Sequence, residues 1–310
     1  MVQAQPERNL ALPLVAASSI GLVLGVLALA GWLSDVHLQQ ALTPGLPTTK
    51  PNTAIAIISL AASTLATVDL AERSNRNLAV GCGLVAVVIG VVSLLEHAGI
   101  GLRSGEWLVP VAGQLGAGDP PGLMSVASAV ALLALGVGAS LAAQQSTTAL
   151  LVRQVAAATA GTLGAIGTIT ISLDPAVLAA VGPFRTMAPF SSVSFCLLAF
   201  AQLGSMPAIG LMRHAMNATT GGRVLRRLLV MMVGGPLLLA LATVQGVRAG
   251  WWAWEFGLAV MVVGTVLLAT VSAFLLAVFA DAEESAHRRA DQTLVEQAKS
   301  LAAATRERAA

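Results

Sequence analysis

The sequence predicts an all-α integral membrane protein: eight transmembrane helices with three parallel two-helix repeats, then a cytoplasmic C-terminal helix. Three observations lead there. Of the 310 residues, 56% are hydrophobic and 10% are charged, with a mean hydropathy of +0.82. A soluble domain carries about 25% charged residues, so an ordinary water-facing surface is excluded. The charges are also segregated, clustering at Arg223–Arg227 and beyond Asp281. Between the clusters run apolar stretches of about 20 residues, the length a helix needs to cross a bilayer. The net charge of +2 points to no nucleic-acid partner.

Eight stretches qualify as spans. Leu10–Leu33 comes first and invites comparison with a signal peptide, because Arg8 precedes it and Ala28-Leu29-Ala30 resembles a cleavage site. Its apolar run far exceeds the core of about 7–15 residues of a signal, so it reads as a retained helix. Thr53–Ala71 follows a Pro-Asn pair, and Leu78–Glu96 ends on a charged Glu-His pair. Met124–Ala143 follows Pro120-Pro121-Gly122. Val155–Leu173 is rich in Thr and carries Gly161, Gly164 and Gly167. Small residues let helices approach closely, so this span is expected to face protein. Pro189–Met206 and Leu228–Gln245 come next, the latter with Pro236 in its middle. Trp254–Phe279 closes the series. Cys82 and Cys196 lie inside apolar stretches and read as small buried hydrophobes. The organisation is residues 1–9 as an N-terminal segment, 10–280 as the membrane domain, and 281–310 as an amphipathic signalling helix or tail.

Lys and Arg set the orientation. Arg8, Arg73, Arg76, Arg153, Arg213, Arg223, Arg226, Arg227 and the five basic residues of the tail fall on one side. Lys50, Arg103, Arg185 and Arg248 fall on the other. An even number of spans then places both termini in the cytoplasm. Trp32, Trp107, Trp251, Trp252 and Trp254 all lie toward the outer face and read as a one-sided interfacial belt.

Three even-numbered spans begin alike: Thr49-Lys50-Pro51-Asn52-Thr53-Ala54, Met124-Ser125-Val126-Ala127-Ser128-Ala129 and Met187-Ala188-Pro189-Phe190-Ser191-Ser192. Each unit crosses twice, so the copies keep one orientation. Pro suits a first helical turn because its missing N–H is an orphan there. Asn, Ser and Thr accept hydrogen bonds from the free amides of that turn. Two readings stand: outer-leaflet caps, or polar N-termini converging on an outer pocket. The candidate sensing residues are Asn52, Thr53, Ser128 and Ser191, with the interfacial Glu96, His97 and Glu255. Pro236 is either a packing kink or a hinge that relays motion toward the tail.

The run Trp32…Pro44-Gly45…Lys50-Pro51-Asn52-Thr53-Ala54-Ile55 resembles the N-terminal multi-span sensor region of bacterial sensor histidine kinases and diguanylate cyclases. Leu94-Leu95-Glu96-His97 and Pro120-Pro121-Gly122-Leu123-Met124-Ser125 extend the likeness, which covers about residues 20–285. The resemblance implies an input module in the bacterial cytoplasmic membrane. It would pass a signal through its last helix to a kinase or cyclase output absent from residues 1–310, as a homodimer or with a membrane partner. It also implies that the natural gene continues past codon 310.

No catalytic motif is present: no P-loop, no Gly-x-Ser-x-Gly and no His-Glu-x-x-His. The chain is therefore not expected to be an enzyme, and no cofactor is expected. His287 lacks the surroundings of a phosphoacceptor, and the spacing of His37, Glu96 and His97 does not require a metal. No charged residue lies at mid-span, which argues against a proton pump or ion channel. The alternative to a sensor is a stand-alone, non-catalytic subunit of a membrane complex.

Overall fold

The computed structural model describes residues 5–34, 38–67, 73–100, 122–206 and 220–274, and these are helical with short connections. The long helices are α1 (Gln5–Leu33), α2 (Pro51–Ala66), α3 (Arg73–His97), α4 (Val126–Ser140), α5 (Thr147–Leu173), α6 (Pro189–Gly204), α7 (Thr220–Arg248) and α8 (Trp254–Phe274). Short helices at Leu38–Leu42 and Pro175–Ala180 follow α1 and α5. The expected tail over 281–310, with His287, lies outside the described residues, as do Trp107 and His37.

Among the described residues, four segments are long and apolar enough to cross a membrane: Leu12–Leu33, Asn75–His97, Thr147–Leu173 and Trp254–Phe274. By contrast α2, α4 and α6 have 16, 15 and 16 residues. At 1.5 Å per residue each covers roughly 24 Å, short of the ~30 Å hydrocarbon core. These three are the helices that open on the recurrent motif.

The chain divides into two compact units, residues 1–212 and 213–310. In the first, each long helix lies between two short ones. Helix α1 packs on α2 and α6, α3 on α2 and α4, and α5 on α4 and α6. The short helices also touch one another, so the contacts close into a ring around them. The core is drawn mainly from the short helices and the residues just before them: Ile57, Leu60, Met124, Leu132, Leu135, Met187, Phe195 and Leu198 are all essentially inaccessible. Among lipid tails, apolar area by itself does not drive such association, because the lipid is as apolar as leucine; close packing must.

Close approach is what the glycines provide. A Cβ on Gly164 would lie 2.7 Å from the Ser192 carbonyl oxygen and 3.0 Å from the Cys196 amide nitrogen. One on Gly167 would lie 2.8 Å from Met187 Sδ. The glycine stripe of the fifth span therefore faces protein, as its composition predicts, and its partner is α6.

Helix α5 starts two turns earlier than the apolar run suggests, because the Ser146 hydroxyl accepts from the Ala149 amide and caps it there. Arg153 thus sits on the helix, where the sequence places it in a loop. It is 3% exposed, and its Nη2 donates to Ser205 Oγ at 3.2 Å beside the end of α6. Cations are favoured at a helix C-terminus, which explains a guanidinium in this position.

In the second unit α7 and α8 form an antiparallel hairpin. Gly257 approaches Thr243, and Gly264 and Gly235 approach Leu239 and Leu268. Gly250, at φ +72°, ends α7, and the Trp251 amide returns to the Gly246 carbonyl. Helix α7 continues unbroken through Pro236.

Helix α4 offers a local test. The Ser125 hydroxyl accepts from the Ser128 amide at 3.1 Å. Ser125→Ala is expected to destabilise the first unit by about 1 kcal/mol, read as a lower melting temperature in detergent, whereas Thr162→Ala on an exposed face of α5 leaves it unchanged.

Candidate functional site

The three short helices begin with one backbone geometry. Lys50 (φ −71°, ψ 154°), Ser125 (−66°, 150°) and Ala188 (−83°, 151°) are their N-caps. The motif residues therefore occupy matching places: Pro51, Val126 and Pro189 open the helices, and Thr53, Ser128 and Ser191 stand at the third position. Only Ser125 caps with its side chain; Lys50 and Ala188 do not.

The residue before each N-cap lies outside regular structure, and its backbone needs partners inside the protein. Trp32, at the end of α1, donates its indole N–H to the Thr49 carbonyl at 2.7 Å. Gln39 donates to the same carbonyl at 3.3 Å and accepts from the Thr49 amide at 2.7 Å. At the end of α3, His97 Nε2 lies 2.8 Å from the Met124 carbonyl oxygen. A carbonyl only accepts, so Nε2 carries the proton. Thus Trp32 and His97 perform the same task in successive units, each fixing the carbonyl ahead of a short helix.

This corrects one reading from the sequence. Trp32 is not an interfacial belt residue: it is 3% exposed, and its N–H is used inside the protein. Trp251 and Trp254 are exposed, whereas Trp252 packs on Gly246 and donates to the Thr243 carbonyl at 3.3 Å.

The N-termini of α2 and α6 meet directly. Thr49 Oγ1 and Ser191 Oγ are 3.1 Å apart, although 142 residues separate them in the chain. Asn52 and Thr53 are each 1% exposed and Ser191 is 2% exposed. Asn52 Oδ1 accepts from the Thr53 amide at 2.8 Å, while Nδ2 is buried with no hydrogen-bond partner. Lys50 is 1% exposed and is among the largest fully buried side chains. The positive-charge count assigns it to an outer loop, but the structure buries it as the N-cap of α2.

The other candidates fall elsewhere. Ser128 is buried in the α4 cap, accepting from the Ser125 hydroxyl at 2.8 Å. Glu96 is partly buried near the end of α3, beside His97. Glu255 is exposed in the first turn of α8, and Pro236 is partly buried in α7, both in the second unit. Sequence reasoning missed Gln39, Thr49 and Lys50. The available signal was a Trp and a Gln flanking a short extended segment between apolar helices, whose backbone must be satisfied wherever water is absent.

Chemically the junction brings together an amide NH2, two hydroxyls and two helix N-termini. Among the described residues no three His, Cys, Asp or Glu side chains gather as a metal site. Comparison with protein-family models, curated proteins and solved structures finds no match to the chain.

Proposed function

We propose that this chain is a membrane-embedded sensory input module of the bacterial cytoplasmic membrane. It would be built from eight spans in which α1–α2, α3–α4 and α5–α6 are three parallel repeats. Shared N-cap geometry, the equivalent roles of Trp32 and His97, and the ring of helix contacts support the repeat. The observation that carries the sensory reading is the buried polar junction of Thr49, Lys50, Asn52 and Ser191. A polar centre walled by apolar helices is where a small change of occupancy would have a large energetic effect. In this proposal both termini are cytoplasmic. The last span and the tail would pass the change to a kinase or cyclase, with Pro236 as the hinge and a second copy as partner.

A second reading, a stand-alone subunit of a membrane complex, draws on α8. Phe256, Val263, Val266, Leu267 and Phe274 are all more than half exposed and would serve as a docking face.

An immunoblot of the native gene product separates the two. A band far above the 31.4 kDa of this chain supports the sensor. A band at that mass with stable co-purifying partners supports the subunit and overturns the sensor.

A further inference from the structure

We propose that the acidic start of the tail, Asp281-Ala282-Glu283-Glu284, docks on the first turns of α7 and pairs there with Arg223, Arg226 and Arg227. This deepens the sensory reading by naming what holds the tail to the last helices, and it rests on that reading only for what the pairing does to output.

Glycine contacts set the register of the α7–α8 hairpin. A Cβ on Gly264 of α8 would meet the Leu239 side chain of α7, and one on Gly235 of α7 would lie 2.8 Å from Leu268 Cδ1 of α8. Four residues forward on α8 are therefore four residues back on α7. Carried on at that rate, the sequence brings Asp281 level with Gly222, and Glu283 level with Thr220, the first residue of α7. Asp281 follows Phe274 by two helical turns, about 10 Å along a helix axis. The residues between, Leu275 to Ala280, are all apolar.

Charge selects the same partners. Arg223, Arg226 and Arg227 stand at positions i, i+3 and i+4 of α7, on one face of the helix. Helical side chains lean toward the helix N-terminus, so a side chain at position 226 reaches back toward the level of Gly222. Arg226 is exposed and already has a partner, and the five N–H donors of a guanidinium serve more than one. The first turn of α7 holds no acidic residue, and the helix dipole makes this end more positive still. Three cations here call for carboxylates. Within residues 213–310 the carboxylates are Glu255 and those from Asp281 onward. Glu255 is in the first turn of α8, at the opposite end of the hairpin. The acids of the tail are the ones this unit can bring to the arginines. Tethering favours them over free anions, because a short link holds them at an effective concentration of the order of mM.

The test uses the full chain carrying Cys82→Ala and Cys196→Ala. Thr220→Cys and Ala282→Cys are added together, which leaves every charge in place, and a short bismaleimide is applied in non-ionic detergent. An intramolecular link is expected, read by peptide mass, and none with Arg248→Cys in place of Thr220→Cys. Thr219→Cys stands in should the first variant not fold. Neutralising the acids by Asp281→Asn, Glu283→Gln and Glu284→Gln is expected to lower the yield by about threefold, as is high salt. No link in the parent, or a yield unchanged in the neutralised variant, overturns the proposal. A link that persists in phosphatidylcholine liposomes and vanishes in phosphatidylglycerol ones also overturns it, and assigns the arginines to lipid headgroups. A charge-dependent link, with output of the native gene product unchanged by the neutralised variant, upholds the docking and removes only the sensory reading.

Discussion

A single methyl group added at Gly136 destabilises the first unit by about 1–3 kcal/mol, while the same methyl at Gly81 stabilises it by up to about 1 kcal/mol. Both glycines are in helices, so both gain helix propensity on conversion to alanine. They differ in what the new atom meets. A Cβ on Gly136 of α4 would lie 2.7 Å from the Val87 amide nitrogen and 2.9 Å from the Gly83 carbonyl oxygen of α3. The approach is mutual, since a Cβ on Gly83 would lie 2.6 Å from the Ser140 amide nitrogen. These obstacles are backbone atoms, which no rotamer change can move aside. A Cβ on Gly81 has nothing within 4 Å. Unfolding of Gly136→Ala and Gly81→Ala in detergent micelles should therefore shift in opposite directions. Equal shifts would mean that α3 and α4 are not so closely apposed. This contact matters because it fixes α4 in the ring, and α4 touches both α2 and α6.

Removal of the Trp32 side chain should cause the largest single loss, about 3–5 kcal/mol for Trp32→Ala. The ring is 3% exposed, so its deletion leaves a cavity. The loss has a second part, because the indole N–H is the shorter of two bonds to the Thr49 carbonyl, at 2.7 Å against 3.3 Å from Gln39. Trp32→Phe retains most of the ring and should lose about 1 kcal/mol through that bond alone. Trp251→Ala is the control, since Trp251 is 75% exposed. Thermal unfolding of the three variants checks the order, and a Trp251 effect as large as that of Trp32 would contradict the buried placement.

The eight long helices of the described residues overlap the eight apolar stretches read from the sequence. The apolar run Leu10–Leu33 lies within α1, and the expected starts at Thr53, Met124 and Pro189 fall within two residues of Pro51, Val126 and Pro189, where α2, α4 and α6 begin. These features are local. A helix start depends on the φ of Pro or the hydroxyl of Ser, and an apolar run depends on composition. The packing role of the fifth-span glycines was legible for a similar reason, because recurring small residues leave one helix face without side chains. The shortness of α2 and α4 was less visible: expected spans reached Ala71 and Ala143, whereas the helices end at Ala66 and Ser140. Hydropathy does not register where a chain turns.

The site was legible only in outline. Asn52, Thr53 and Ser191 could be singled out because short polar side chains recur at helix starts. Which N-termini meet is not encoded locally. The Thr49–Ser191 contact spans 142 residues and forms where α2 and α6 pack directly on each other. Lys50 and Arg153 show the limit most clearly. A charge count treats each as a water-facing loop residue, because charge is stable in water at the least cost. The folded unit instead buries Lys50 at the start of α2 and Arg153 against Ser205. The sequence by itself determined helical class, element order and the local form of each helix start, since these depend on neighbouring residues. Tertiary structure alone decided which charges are buried, which donors lose water and which helix ends converge, since these depend on residues brought together from far apart.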